Sequence, residues 1–153
     1  MKRIALLLVV FVLGLASAPA AQINAGRDNP ELVGVYKCEG RNPDGKPYAG
    51  VVEIVNKGRL FQLRWTLESG EQTYGFGFVH DGALVVTVFG DPRGEPMAPT
   101  VAVYSVAKGN PLTLDGEWAV IVAQGIHSEK LTKMPKDHPA TAKKPLPKPT
   151  HKL

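Results

Sequence analysis

The sequence predicts an all-β protein, an antiparallel up-and-down meander of about eight short strands that closes into a small barrel. Three observations carry that prediction. Short runs rich in β-branched and aromatic residues alternate their side chains with a period of two. The runs are separated by Asn-, Asp- and Gly-bearing turns centred near residues 57, 81 and 109, about two strands apart. With 16 glycines and 13 prolines in 153 residues the chain is rich in turn formers, and nothing between Glu31 and Thr132 sustains a helical period. Closure is the natural end of such a meander because it removes exposed strand edges. A seven- or eight-stranded sandwich is the alternative, without the Cys–Trp–Cys pattern of the immunoglobulin type.

The elements follow in order. Leu32 to Glu39 is the first strand and Tyr48 to Asn56, with Val51, Val52, Ile54 and Val55, the second. The connector Asn56-Lys57-Gly58 has residues that tolerate a tight hairpin, so the second run pairs antiparallel with Leu60 to Leu67. In that third strand Phe61, Leu63, Trp65 and Leu67 alternate with a more polar face, the mark of a half-buried strand. Thr73 to Val79 and Ala83 to Phe89 flank His80-Asp81-Gly82, whose Asp-Gly step is a strong hairpin signal. Thr100 to Ala107 and a strand beginning near Leu112 flank Lys108-Gly109-Asn110-Pro111, and Ser128 to Thr132 closes the set. Gly75 and Gly77 alternate with Tyr74, Phe76 and Phe78, leaving one face of that strand bare: either a bend or room for a large neighbour such as Trp65 or Trp118.

The ends differ in kind from the body. Residues 1–20 read as a secretory signal peptide: Lys2 and Arg3, an apolar run from Ile4 to Leu15, then Ala18-Pro19-Ala20 as the cleavage site. That run is short against the ~20 residues that span a bilayer, so no transmembrane segment is expected after cleavage. An exported protein follows, periplasmic or extracellular. Residues 21–31 form a linker, 32–132 the barrel and 133–153 a disordered tail rich in Lys and Pro. The formal charge of +4 divides unevenly: residues 21–132 hold 10 basic against 13 acidic side chains, while the tail has six lysines against Asp137. A net acidic body and an exported chain argue against nucleic acid as a partner. Lys143, Lys144 and Lys148 are the candidate contacts to a polyanionic surface.

Chemistry-bearing patterns are sparse. The single cysteine, Cys38, forms no intramolecular disulfide and no Cys-based zinc site, and at period two from Tyr36 it reads as a small core residue. His80, His127, His138 and His151 show no metal-binding spacing; His80 and His127 read as solvated loop residues, with a cluster of His80, His127 and Glu129 at one barrel end as the sharper alternative. Ser105 and Ser128 lack a nucleophile elbow, no carboxylate spacing singles out an acid/base pair, and no phosphate loop is present. The reading is a protein that is not an enzyme and has no catalytic residue, no metal and no cofactor. A weaker alternative is an enzyme using His80 or His127.

Barrels of eight strands are filled by side chains or hold one small ligand. The expected binding residues are therefore aromatic: Trp65, Trp118, Tyr36, Tyr74, Phe76 and Phe78. The expected partner is a small apolar ligand inside, or a matrix or envelope macromolecule at the surface. The alternative is a filled core acting through the Arg41–Tyr48 and Gly90–Pro99 loops and the basic tail.

Several stretches carry a family resemblance: Gly34-Val35-Tyr36-Lys37-Cys38-Glu39-Gly40, Asn42 to Ile54, Leu63-Arg64-Trp65, Leu114-Asp115-Gly116-Glu117-Trp118 and Glu129-Lys130-Leu131-Thr132. Over residues 32 to 132 the chain resembles small exported bacterial proteins of planctomycete type, some labelled fibronectin-binding. More distantly, the Gly-x-Tyr start, the glycine-rich first hairpin and Gly-x-Trp near the end are similar to avidin-like and other calycin barrels. The resemblance implies a ligand-binding barrel. The Ser- and Asn-rich set by which avidins hold biotin has no counterpart here.

Overall fold

The computed structural model describes residues 29–90 and 97–137. Eight strands, β1 (Gly34–Arg41), β2 (Pro47–Lys57), β3 (Leu60–Leu67), β4 (Gln72–His80), β5 (Ala83–Gly90), β6 (Thr100–Ala107), β7 (Thr113–Val120) and β8 (His127–Lys133), form a closed barrel in sequence order. Every neighbouring pair is antiparallel, and β8 closes on β1 with Cys38 opposite Leu131 and Gly40 opposite Glu129. The all-β, eight-stranded meander expected from the sequence is the fold.

The hairpins form where the sequence places turn residues. Asp81 and Gly82 both have positive φ, 49° and 80°, which a two-residue type I′ turn requires and an Asp-Gly pair supplies. Between β2 and β3 the turn is Gly58-Arg59, one residue later than the connector expected, and the Asn56 side chain accepts a hydrogen bond from the Gly58 amide at 2.7 Å.

The first strand begins at Gly34, two residues later than expected, because Pro30–Leu32 forms a single 3₁₀ turn. Leu32, fully buried, enters the barrel mouth, and the Tyr36 hydroxyl donates to its carbonyl at 2.8 Å. Lys133 lies over the Tyr36 ring and donates to the Glu31 carbonyl, tying the turn to the last strand. The Met134 amide also donates to the Val35 carbonyl, so β-pairing runs past residue 132 into the stretch assigned to the tail. The signal peptide, most of the 21–31 linker, and Lys143, Lys144 and Lys148 lie outside the described residues. No described helix is long and apolar enough to cross a membrane.

The plugged end holds the apolar half of the core. Leu32, Tyr36, Ile54, Phe61, Leu84 and Leu114 are all solvent-free there. Each such side chain contributes about 1.5–3 kcal/mol by leaving water, which makes this end the anchor of the fold. The opposite end, ringed by the β1–β2, β3–β4, β5–β6 and β7–β8 connections, is built differently.

Candidate functional site

The open end is organised by a carboxylate. In β8 the inward face is set by Leu131, and the period of two carries Glu129 and His127 to the same side. Glu129 is only 5% exposed. Its neighbours across the sheet are Gly40 on β1 and Gly116 on β7. A Cβ on Gly40 would enter the ring of Tyr48, and one on Gly116 the ring of Tyr104. The two tyrosine rings thus lie across bare backbone, which brings both hydroxyls to the carboxylate.

Four donors converge on Glu129. Tyr104 Oη–H at 2.5 Å and Trp65 Nε1–H at 3.2 Å donate to Oε1; Tyr48 Oη–H at 2.7 Å and Cys38 Sγ–H at 3.1 Å donate to Oε2. An ionised carboxylate accepts about four hydrogen bonds and donates none, so this donor set saturates it. Desolvation is the first cause pushing the Tyr48, Tyr104 and Cys38 pKa values well above their ordinary ranges, and the Glu129 charge is the second. Each of the three is thereby kept protonated as a donor. A thiol held in this way is a poor nucleophile.

Beside this cluster lies a pocket of about 150 Å³ that opens to solvent. Trp65, Tyr48, Tyr104, Trp118 and Glu129 line its depth, with Val88, Met97, Thr100 and Ala102 on one wall and Asn42, Glu71 and Thr73 toward the turns. Trp118 packs on the His127 ring at 4.7 Å between centroids. Trp118 Nε1 and His127 Nε2 are shielded from solvent and lack a hydrogen-bond partner; the indole N–H lies near enough to Tyr48 to oppose weakly the rise in its pKa, but without hydrogen-bond geometry.

The sequence-predicted residues divide between three places. Trp65 and Trp118 line the pocket. Tyr36 is at the plugged end, bonded to Leu32, and contributes to the core there. Tyr74, Phe76 and Phe78 alternate with the buried Gly75 and Gly77 on β4, so they belong to the outer face, where Phe76 and Phe78 are 49% and 37% exposed. The aromatic face of β4 points outward because the inward one has no room: a Cβ at Gly75 would meet the Thr87 carbonyl at 2.8 Å and Trp65 at 3.1 Å. Gly75 accommodates Trp65, one of the two roles expected of these glycines, while Gly77 lies against the Val85 backbone and the Val86 side chain.

His127 is the first residue of β8 and packs inward, in place of the solvated loop residue expected. His80, the last residue of β4, stays exposed beside Asp81 on the plugged end, so it shares no cluster with His127 and Glu129. No group of three metal-ligating side chains gathers among the described residues. Tyr48 and Tyr104 are not among the residues expected to bind, and Glu129 figures only in the alternative cluster with His80 and His127. The signal that finds them is the parity of β8 counted back from Leu131, with the glycines on either side of it.

No family model and no curated protein matches the chain, so the resemblance to planctomycete-type exported proteins gains no support. Among solved structures the chain is similar to "a redesigned beta barrel, mFAP1, bound to DFHBI", at 15% identity and a TM-score of 0.46 over 67% of this chain and 94% of that one.

Proposed function

We propose that the protein is an exported, non-enzymatic binding barrel that holds a small molecule in the pocket at its open end. One observation carries the reading: the interior is packed at the plugged end, yet at the other end it leaves a solvent-connected space of about 150 Å³ bounded by both tryptophans and a buried carboxylate. A cavity of that volume accepts a molecule about the size of benzene. The donor groups around Glu129 are committed to it, which supports recognition over catalysis. Export rests on the N-terminal sequence pattern.

Native mass spectrometry of the protein purified from its own host, followed by denaturing release, tests this reading. A stoichiometric small molecule that leaves on denaturation is expected. A bare polypeptide mass, together with no uptake from a panel of small organic probes, would count against it.

A second reading, contact with a macromolecular surface, draws on the β7–β8 connection, where Ile121, Val122 and Ile126 are each more than 70% exposed. Replacing all three by serine is expected to abolish adhesion to matrix or envelope polymers under that reading, and unchanged adhesion would remove it.

A further inference from the structure

The pocket's charge and surface specify a ligand class. Among the described residues its lining holds two carboxylates, Glu129 and Glu71, and no lysine, arginine or histidine. The Glu129 charge is relieved by hydrogen bonds from neutral groups alone, because tyrosine, tryptophan and cysteine donate without bringing positive charge. His127, two residues away, rests its ring on Trp118 and has no hydrogen-bond partner at Nε2. A buried carboxylate whose lone pairs are satisfied, and which pairs with no lysine or arginine among the described residues, projects a negative potential into a low-dielectric space.

The walls suit the same occupant. Tyr48, Trp65, Tyr104 and Trp118 bring four aromatic rings to one small volume, and the faces of tryptophan and tyrosine attract cations, most strongly where water is excluded. Because the protein's own donors fill the acceptor positions of Glu129, a ligand N–H would have to displace one of them. A methylated ammonium needs no acceptor lone pair, and its charge acts through space. Anions are opposed by both carboxylates, and a neutral ligand gains nothing from the buried charge.

From this we infer that the pocket binds a small organic cation, an ammonium centre bearing short alkyl groups, held against the Trp65, Trp118, Tyr48 and Tyr104 rings above Glu129. The inference rests on the pocket reading proposed above and adds the charge of the ligand to it.

The test compares isosteres of different charge on the unaltered protein. Both tryptophans of the chain line the pocket, so intrinsic fluorescence reports occupancy, and calorimetry gives the affinity independently. The probes are tetramethylammonium, tert-butanol and pivalate. Tetramethylammonium is expected to bind at least about tenfold tighter than tert-butanol, the scale of a desolvated cation–aromatic contact, and pivalate is expected to bind more weakly still. The Glu129→Gln variant should lose most of that preference. Should it fail to fold, Trp118→Leu in the pocket lining is expected to weaken tetramethylammonium by about tenfold while tert-butanol changes less. Binding of tert-butanol or pivalate as tight as that of the cation overturns the charge assignment and leaves the pocket reading standing. If none of the three binds, both fall.

Discussion

The two ends of this barrel are made by one alternating pattern and reach opposite outcomes. At the plugged end the inward positions are Leu32, Tyr36, Ile54, Phe61, Leu84 and Leu114, which fill the lumen and exclude water. At the open end the equivalent positions are Cys38, Tyr48, Trp65 and Tyr104, whose donors converge on Glu129, with Trp118 beside them, and together they leave a pocket. The difference lies in the residues placed on an identical pleat. Both ends hold the fold together, one by apolar packing and the other by a buried polar network, and under the reading proposed above only the second leaves room for a ligand.

The largest effect is expected from breaking the open end's organiser. Glu129→Ala strands the Tyr104, Trp65 and Cys38 donors out of water; at ~1–3 kcal/mol for each unsatisfied group, the loss is about 3 kcal/mol or more, read by denaturant unfolding. A loss under about 1 kcal/mol would mean the network is not closed as described. Leu114→Ala, in the plug, is expected to cost about 2–5 kcal/mol through the cavity it leaves. Its ligand affinity at the open end should stay within a factor of two or so, since distant sites act additively. A parallel fall in affinity would show that the two ends are coupled.

Gly116→Ala sharpens the contrast, because the new Cβ enters the space of the Tyr104 ring. Overpacking of that kind costs about 1–3 kcal/mol. The same substitution at Gly58, where open space surrounds the Cβ but φ is +81°, tests backbone strain alone and should leave ligand binding untouched.

The smallest effect appears only at high pH. Tyr36, Tyr48 and Tyr104 have pKa values raised above the ordinary tyrosine range, chiefly by burial, with Glu31 adding to the first and Glu129 to the other two. The unfolded chain ionises its tyrosines near pH 10, whereas the fold holds these three protonated. Their contribution to stability is therefore complete below about pH 10 and is lost as pH climbs beyond it. The phenolate absorbance of the three should rise together with the loss of near-ultraviolet circular dichroism; its appearance in a still-folded barrel would contradict their placement.

How much of this the sequence disclosed follows from where its patterns are loud. The strands β2 to β6 are runs with four or five Val, Ile, Leu or aromatic residues each, and Asn-Lys-Gly and Asp-Gly punctuate them, so hairpins and closure were legible. The Pro30–Leu32 turn is too short for any periodicity, and its role depends on a lumen that exists only after closure. β4 misled because hydrophobicity favours putting Phe76 and Phe78 inside, whereas the space there is taken by Trp65 and by the adjacent β5 backbone. β8 hid the site for the opposite reason. Its one large apolar residue, Leu131, sits among charges, and a glutamate on such a strand reads as solvent-facing until its neighbours are known to be Gly40, Gly116, Tyr48 and Tyr104.

The central claim is that recognition belongs to the open end alone. Amide chemical shifts of isotope-labelled protein, followed during titration with cationic, neutral and anionic probes of pocket size, test it most directly. The account predicts that shifts cluster at Tyr48, Trp65, Thr100, Tyr104, Trp118 and Glu129, with Leu32, Leu84 and Leu114 unmoved. Shifts centred on the plug or on the outer face around Phe76 and Phe78 would contradict it.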